Sequence, residues 1–206
     1  MSGRLDVPRE TAERLSVFVA LLLRWNRRIN LIGACSDAEI WRRHVEDSLQ
    51  LGPLMGSARS AIDLGSGAGF PGLVLAIATG VPFSLVEADR RKAAFLTEAA
   101  RRTAAPVSVH ANRIEGVQLA PAEVITARAL APLPRLLALA APLLAADGAC
   151  LFPKGRTGET ELTGAATEWH MKVERFPSRT AATATIFRIT EIARAGAAVK
   201  RHPPPG

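Results

Sequence analysis

A run of glycines directly after an apolar segment limits, more than any other feature, how this chain can fold. The stretch AIDLGSGAGFPG, residues 61–72, starts with β-branched and apolar side chains, and half of its last eight positions are glycine. These glycines are Gly65, Gly67, Gly69 and Gly72. Because glycine adopts left-handed backbone conformations without strain, the pattern predicts a tight turn after a strand, and Pro71 is suited to open a following helix. Such a turn leaves backbone atoms open to a ligand.

The segments after residue 60 alternate between short apolar runs and helical patterns. Five runs are largely apolar and predict buried strands: AIDLG, FSLVEA, VSVHAN, EVITARA and ACLFPKG. Buried strands separated by helices are typical of a parallel sheet covered on both faces. Two later segments, HMKVERFP and TATIFRITEI, alternate like half-exposed strands and are joined by a short polar turn, which favours an antiparallel hairpin. We therefore predict an α/β fold with a mostly parallel seven-stranded sheet.

The chain before residue 57 has the pattern of a helical cap. Apolar side chains at three- and four-residue steps predict a first helix, at Leu15, Phe18, Leu22, Trp25 and Ile29. A second helix is predicted over AEIWRRHVEDSLQL, residues 38–51, where His44 and Asp47 share one face and are expected to form a hydrogen-bonded pair that docks the cap. The predicted units are a helical cap at residues 1–56, an α/β domain at 57–192 and a flexible, basic, proline-rich tail at 193–206.

Two acidic residues near the loop bear on which ligand it holds. Three of the glycines match the G-x-G-x-x-G dinucleotide pattern, which alone is weak evidence. Asp63 lies two residues before Gly65, where its carboxylate could receive a ligand ammonium directly or through water, whereas a pyrophosphate is disfavoured there. Glu87 ends the next predicted strand and could accept hydrogen bonds from both ribose hydroxyls of a nucleoside, in NAD and S-adenosylmethionine alike. Simple close packing at the loop and a solvated acid at Glu87 stay open as alternatives.

An excess of positive charge favours a polyanionic partner. The chain has 26 lysines and arginines against 19 aspartates and glutamates, a formal net charge of +7. This raises the expectation of a nucleic acid without establishing it. Clusters in the predicted cap supply candidate RNA-binding side chains, which a solvated helix face would explain equally well: Arg27, Arg28, Arg42 and Arg43.

Cysteine usage and the distribution of apolar segments indicate the compartment. Cys35 and Cys150 lie far apart, which argues against a disulfide scaffold and fits a reducing environment. The first segment lacks the apolar region of a secretion signal, and no later segment is long and uncharged enough to span a bilayer. We expect a cytoplasmic protein that does not enter a membrane. Because no His, Cys and acidic residues have metal-ligand spacing, we also expect no metal.

Several segments, taken in order, resemble one family of class I methyltransferases. The stretch IDLGSGAGFPG is similar to motif I of that superfamily, and its Phe-Pro-Gly ending is similar to the small-subunit ribosomal RNA guanine-N7 methyltransferases, the RsmG family, formerly glucose-inhibited division protein B. The supporting segments are RWNRRINLI at 24–32, RHVEDSL at 43–49, NRIEGV at 112–117, TARALAPL at 126–133 and FPKG at 152–155. The resemblance runs from about residue 10 to about residue 190.

The resemblance implies a Rossmann-like fold and S-adenosyl-L-methionine as the methyl donor, with S-adenosyl-L-homocysteine as product. It also implies small-subunit ribosomal RNA or the ribosomal subunit as partner, and we expect a monomer. Carried over residue by residue, the implied cofactor site falls on Gly65 and Phe70, on Ile114 and Glu115 beside the adenine, and on Arg128 near the transferred methyl. The loop argument adds three residues to this predicted site: Asp63, Gly67 and Glu87.

The sequence departs from the pattern that the resemblance implies at three positions, Glu87, Ala88 and Leu130. Glu87 with Ala88 stands where an Asp-Ser pair is common, and because glutamate is one methylene longer, the ribose contact is expected to be rearranged. Leu130 stands where phenylalanine is common, which removes any aromatic contact from that site.

The segment after the fourth predicted strand bears on the methyl acceptor. Enzymes that methylate exocyclic amines usually carry an Asn/Asp-Pro-Pro-aromatic tetrapeptide there, whereas this chain has TARALAPL and contains no tyrosine. Methylation of pyrimidine C5 needs an activated thiolate, but Cys150 lies in a predicted core strand and Cys35 has no obvious activating base. Guanine N7 has a nucleophilic lone pair and no proton to remove. We therefore predict no catalytic acid or base, with Arg128 orienting the target or its phosphate.

Three alternatives stay open from the sequence. One is a methyltransferase of the same fold that acts on another RNA or on a small molecule. A second is a catalytically inactive RNA-binding assembly protein, although the glycine loop, Asp63 and Arg128 would then have no physical purpose. A dinucleotide-dependent oxidoreductase is the least favoured because of the carboxylate at Asp63.

Overall fold

The computed structural model describes residues 7–196, which form one mixed β-sheet with helices on both faces. The strands are β1 Ala61–Leu64, β2 Phe83–Val86, β3 Val107–His110, β4 Ala122–Thr126, β5 Leu144–Lys154, β6 Trp169–Pro177 and β7 Thr185–Arg194. Across the sheet their order is β3-β2-β1-β4-β5-β7-β6. Strands β1 to β5 pair in parallel, and β7 pairs antiparallel with both β5 and β6. The predicted seven-stranded sheet and its closing hairpin are confirmed.

Seven α-helices occur within the described residues. They are α1 Arg9–Ile29, α2 Asp37–Ile40, α3 Asp47–Leu49, α4 Gly72–Thr79, α5 Arg90–Thr103, α6 Leu133–Ala140 and α7 Gly158–Ala165. Short 3-10 turns lie at Gly52–Met55, Ile114–Gly116 and Ala141–Leu143. One buried apolar cluster joins α1, α4 and α5 to the sheet, and a second joins α6 and α7 to it. The sheet is therefore covered on both faces, as its apolar strands predict. None of the helices described in residues 7–196 has the length and apolar character that crossing a membrane requires.

The second predicted helix of the cap is confirmed as helical from Asp37 to Leu49, but its middle is π-helical and not α-helical. A π-helical turn, Trp41–Glu46, separates α2 from α3. Ile40 and Val45 are both fully buried although they are five residues apart, and a π turn, with its i to i+5 hydrogen bonds, brings such positions onto one face. An apolar pattern that is compared only with the α-helical period does not identify this five-residue spacing.

The cap shares its apolar core with the sheet. Phe18 of α1 is fully buried, and its ring packs edge-on against Phe70 with 5.3 Å between ring centroids. The same ring lies 6.2 Å from that of Phe95 in α5. Arg14 adds hydrogen bonds to the carbonyl oxygens of Thr103 and Ala104, where α5 ends, and a cation is favourable at that end of a helix. The cap is thus held by burial and by helix capping together.

The chain ends fall partly outside the described residues. Strand β7 continues to Arg194, past the predicted domain boundary at residue 192. The first six residues of the predicted cap and residues 197–206 of the predicted flexible tail lie outside the part of the chain that the structure describes.

Two adjacent residues of α1 test how the cap is attached. Phe18→Ala is expected to lower the free energy of unfolding by about 3–5 kcal/mol, because it leaves a cavity between α1, α5 and the glycine loop. Val17 is 46% exposed, so Val17→Ala is the matched control and should change stability by less than about 0.5 kcal/mol. Urea unfolding monitored by circular dichroism measures both. Equal losses in the two variants would contradict this docking of α1.

Candidate functional site

The residues predicted to form the cofactor site gather at one edge of the sheet. Strands β1 to β4 are parallel, so the segments that follow them all leave at their carboxyl ends. In an open α/β sheet, ligands bind at this edge near the point where the strand order reverses, which here lies between β1 and β4. The glycine loop follows β1, Glu87 follows β2, Ile114 and Glu115 follow β3, and Arg128 follows β4.

The glycine loop has the predicted geometry. Gly65, Gly67 and Gly69 have φ angles of 67°, 54° and 90°, which side-chain-bearing residues rarely adopt. The backbone N–H groups of Gly65 and Ser66 donate to the carbonyl oxygen of Val86, at 2.9 and 3.0 Å, and so fasten the loop to β2. Helix α4 begins at Gly72 directly after Pro71, as predicted.

Glu87 fixes the middle of this loop. One carboxylate oxygen accepts a hydrogen bond of 2.8 Å from the backbone N–H of Gly67, and the other accepts one of 2.8 Å from that of Asp89. The longer glutamate therefore reaches back onto the loop. Because each oxygen carries two lone pairs, capacity remains for ligand hydroxyls. This rearrangement is in keeping with the expectation from the extra methylene, while the ribose contact itself stays a prediction.

Asp63 lies beneath the loop and not on an open surface. It is 1% exposed, and its Oδ1 atom accepts a hydrogen bond of 2.6 Å from the hydroxyl of Thr126. Its Oδ2 atom is buried and has no hydrogen-bond partner in the described residues. A Cβ atom at Gly72 would lie 2.5 Å from the Cβ atom of Asp63, so only glycine fits above it. Burial raises the pKa of Asp63 to about 6, opposed by the hydrogen bond from Thr126.

Arg128 joins the segment after β4 to the cap. Its side chain is 21% exposed, and Nη1 donates to the carbonyl oxygen of Arg43 at 3.1 Å and to Asp47 Oδ2 at 3.3 Å. Nη2 lies 2.9 Å from Nδ1 of His44. The guanidinium carbon also stands 5.2 Å from the centre of the Phe70 ring. Burial lowers the pKa of the Arg128 guanidinium and the Asp47 carboxylate raises it, and an arginine stays charged in either case.

The predicted hydrogen bond between His44 and Asp47 is wrong, because both side chains bind Arg128 instead. The His44 ring is stacked on Phe70, with 5.0 Å between centroids and 24° between planes. Burial, together with the positive charge of Arg128, lowers the pKa of His44 to about 4. The ring is therefore neutral near pH 7, so Nδ1 can accept the hydrogen bond from the guanidinium. Phe70 itself is 4% exposed and forms the floor under both side chains.

A cavity of about 550 Å³ opens beside the glycine loop. Its walls come from the π turn and α3, from residues 128–132, from the end of β5 and from the connection between β6 and β7. Leu130 lines this cavity and lies over Gly65, because a Cβ atom at Gly65 would be 2.7 Å from its Cδ1 atom. With 36% of its surface exposed, Leu130 stands between the loop and the cavity. The preceding residue, Ala129, has a φ angle of 53°, so the chain turns sharply here. Of the predicted strand EVITARA, only the part up to Thr126 is a strand.

Two side chains on the far wall of the cavity form a pair. Lys154 Nζ donates to Glu161 and to the carbonyl oxygen of Ala131, both at 2.8 Å. Glu161 also accepts a hydrogen bond of 2.9 Å from the backbone N–H of Leu133. This pair fixes the segment that carries Leu130. Lys154 belongs to the FPKG segment, but the sequence alone gave no indication of its partners.

The other predicted site residues differ in where they lie. Ile114 packs against the apolar cluster that contains α6, and Glu115 is exposed and paired with Arg135 of α6. Arg42 and Arg43 line the cavity and are exposed. Arg27 and Arg28 are also exposed, but they lie in the last turn of α1 and not in the cavity wall.

Sequence reasoning missed the connection between the cap and the β6–β7 segment. Thr180 donates to Asp47 at 2.5 Å, and its carbonyl oxygen accepts from Arg42 at 2.9 Å. These partners are more than a hundred residues apart in the chain, and no local pattern marks such a contact. Within residues 7–196, no group of three or more His, Cys, Asp or Glu side chains is arranged to hold a metal.

Methyltransferases are among the solved structures with a similar fold. The O-methyltransferase from Bacillus cereus in complex with SAH aligns with a TM-score of 0.57 at 14% identity, covering 91% of this chain and 93% of that chain. The ribosomal protein L11 methylase from Lactobacillus delbrueckii subsp. bulgaricus aligns with a TM-score of 0.57 at 14% identity, covering 70% of this chain and 76% of that chain. At such identities the similarity establishes the Rossmann-like fold of class I methyltransferases, as predicted.

Sequence relatives are much closer. The ribosomal RNA small subunit methyltransferase G of Gluconobacter oxydans is 52% identical over 188 residues, which cover 91% of this chain and 97% of that protein. The protein of the same name from Granulibacter bethesdensis is 57% identical over 189 residues, covering 91% of this chain and 89% of that protein. The family model described as rRNA small subunit methyltransferase G matches residues 11–186. The chain therefore belongs to the rRNA small subunit methyltransferase G family.

Proposed function

We propose that this protein transfers a methyl group from S-adenosyl-L-methionine to N7 of a guanine in small-subunit (16S) ribosomal RNA, without a general base. The observation that carries the proposal is the junction at Leu130, where the glycine loop on one side meets an open cavity on the other. Family membership supports the donor and the RNA class. Guanine N7 follows from the resemblance and from the chemistry of the cavity.

The loop fits S-adenosyl-L-methionine. The Oδ2 atom of Asp63 is an unpartnered carboxylate oxygen at the base of the loop, and its negative charge suits a ligand that carries an ammonium and a sulfonium group. Glu87 and the backbone of Gly67 supply acceptor capacity and close approach for a ribose. Ile114 and Glu115 are the proposed neighbours of the adenine. When bound, S-adenosyl-L-methionine supplies an electrophilic methyl group.

The cavity fits a guanine that is methylated at N7. At about 550 Å³ it can admit one nucleotide taken out of a stack, as base-modifying enzymes require. The carboxylates of Asp47 and Glu161 line it, each paired with a cation of the same wall, Arg128 and Lys154. Leu130 offers an apolar surface to the base. Arg128 keeps one Nη2 hydrogen and its Nε hydrogen free of the partners described above, which allows it to orient the target or its phosphate.

Neither Cys150 nor His44 supports another methylation chemistry. Burial raises the pKa of the Cys150 thiol well above its ordinary value, and a thiol that stays protonated cannot attack a pyrimidine ring. His44 is occupied by Arg128 through its Nδ1 atom. The lone pair of N7 needs no deprotonation, so alignment and electrostatics suffice.

Positive charge at the mouth of the cavity suits an RNA strand. Arg42 and Arg43 are exposed and border the cavity, where they can bind the phosphates on either side of the target guanine. Arg27 and Arg28, further along the cap, extend the proposed RNA-binding face. We expect the protein to act as a monomer. We place the protein in the cytoplasm, acting on the RNA or on the assembled subunit.

Transfer of labelled methyl from S-adenosyl-L-methionine to small-subunit RNA that lacks N7 methylation tests this function. Free RNA and assembled subunits are offered in parallel, and the product is mapped by cleavage at N7-methylguanine. One labelled guanine is expected in at least one substrate, and none when 7-deazaguanine, which lacks N7, replaces that guanine. Methyl transfer that survives this replacement, or transfer to neither substrate, would contradict the proposal.

Arg128→Ala is expected to lower the single-turnover rate of methyl transfer about 100-fold, because a positioned cation at the junction is lost. The free energy of unfolding should fall by only about 1–3 kcal/mol, from the lost hydrogen bonds. Arg59, which pairs with Glu123 at the opposite edge of the sheet, provides the control, and Arg59→Ala should keep the rate within about twofold. An unchanged rate in Arg128→Ala would exclude this role.

Cofactor affinity is expected to depend on the charge of Asp63. Because burial raises the pKa of Asp63 to about 6, the carboxylate is charged near pH 7 and largely protonated near pH 5, so affinity for the cationic cofactor should fall over that interval. Asp63→Asn keeps an acceptor for Thr126 but no charge, and should bind weakly with no such dependence. His44, with a pKa of about 4, does not titrate in this range. Calorimetry at both pH values measures the cofactor affinity of the original protein and of Asp63→Asn. An equal pH dependence of affinity in the two proteins would disprove the role assigned to the Asp63 charge.

A further inference from the structure

The carboxylate of Asp47 connects two segments that are distant in the chain. Its Oδ2 atom lies 3.3 Å from Arg128 Nη1, in the segment after β4. Its Oδ1 atom accepts hydrogen bonds from Thr180 Oγ1 at 2.5 Å and from Gln50 Nε2 at 2.9 Å. The side chain is 17% exposed, so water competes little for these positions. One rigid group therefore sets the place of Arg128 and the place of Thr180 together.

The connection between β6 and β7 is held on the cap by further hydrogen bonds. Gln50 Oε1 accepts from the backbone N–H of Arg179 at 2.9 Å, and Gln50 Nε2 donates to Ser178 Oγ at 3.2 Å. Arg42 Nη1 donates to the carbonyl oxygen of Thr180 at 2.9 Å. Residues 178–180 are thus held by the cap as well as by the hydrogen bond from the Ser178 N–H to the carbonyl oxygen of Ala184, and Ser178 and Thr180 line the cavity.

The two carboxylate oxygens of Asp47 bind residues in the wall of the same cavity, since Arg128 and Thr180 both line it. The two oxygens belong to one planar group, so a rotation that improves one contact weakens the other. We propose that Asp47 is a positioning residue for methyl transfer, which aligns Arg128 with the wall at residues 178–180 and so sets the shape of the cavity for the acceptor guanine. This rests on the proposed function, because the acceptor is the guanine assigned there.

Two nearly isosteric substitutions test separately the contact of Asp47 with Arg128 and its contact with Thr180. Asp47→Asn removes the charge that holds Arg128 but keeps an oxygen that can accept from Thr180. Thr180→Val removes the hydroxyl that binds Asp47; this hydroxyl also bonds Ser178 Oγ at 3.0 Å and makes no hydrogen bond with Arg128. Glu46→Gln, one residue before Asp47, is the matched control, since the Glu46 carboxylate makes no hydrogen bond or ion pair within residues 7–196.

The single-turnover rate of methyl transfer is the first measurement, made at saturating cofactor and RNA. Asp47→Asn is expected to lower it about 10- to 100-fold and Thr180→Val about threefold to tenfold, while Glu46→Gln stays within about twofold. Affinity for S-adenosyl-L-homocysteine should change by less than about threefold in all of them. Because Thr180 acts through Asp47, the double variant should be no slower than Asp47→Asn alone.

Two further measurements need no substrate. Nitrogen-15 NMR of the Arg128 guanidinium should show restricted rotation in the original protein and in Glu46→Gln, and faster rotation in both Asp47→Asn and Thr180→Val. Hydrogen exchange of residues 178–184 should speed up in the same two variants and not in α5. Thr180 makes no hydrogen bond with Arg128, so a response of Arg128 to Thr180→Val is the signature of coupling through Asp47.

The outcomes separate this inference from the proposed function. Rate losses of Asp47→Asn and Thr180→Val that multiply, or an Arg128 signal that ignores Thr180→Val, would overturn the positioning role while methyl transfer by the original protein upholds the function. If the original protein methylates no guanine, the proposed function fails, and the NMR and exchange results still show whether Asp47 couples the two segments. Should Asp47→Asn not fold, Thr180→Val alone decides through the Arg128 signal.

Discussion

The rest of the site depends on the contacts of the partly buried guanidinium of Arg128. The guanidinium is held by the Asp47 carboxylate, by His44, by the carbonyl oxygen of Arg43 and by the face of Phe70. Removing such a charge from water costs free energy that only a full set of partners offsets. Those partners come from the cap and from the glycine loop, so the cap cannot dock elsewhere without leaving Arg128 unpaired. The same contacts that attach the cap therefore build the cavity.

In the proposed function, the donor and the acceptor bind next to Leu130. On one side is the glycine loop, whose glycines adopt left-handed backbone conformations and whose Gly67 N–H is hydrogen-bonded to Glu87. The Asp63 carboxylate lies below this loop. On the other side lies a cavity whose mouth carries Arg42 and Arg43. A reaction that needs no proton transfer requires the two reactants to meet in line, and little else. Rigidity around Leu130, given by the Lys154 to Glu161 pair, serves that requirement.

Features set by local chemistry could be predicted from the sequence, and features set by distant contacts could not. The glycine loop, the parallel strands and the closing hairpin follow from backbone freedom and apolar periodicity, and the structure confirms them. The sequence pattern did not predict the π turn, because the five-residue spacing of Ile40 and Val45 resembles that of an imperfect α-helix. The bond from Asp47 to Thr180 joins positions with no local signal, and His44 was assigned the wrong partner for the same reason. The adenine contacts of Ile114 and Glu115 and the RNA contacts of the arginines stay predictions.

The most direct test of this account is a crystal structure of the protein with S-adenosyl-L-homocysteine and a short RNA that contains the target guanine. We expect the cofactor against the glycine loop and the guanine in the adjoining cavity, both beside Leu130, with N7 turned toward the cofactor sulfur and room for one methyl group between them. A guanine bound outside this cavity, or one whose N7 faces away from the sulfur, would contradict this account.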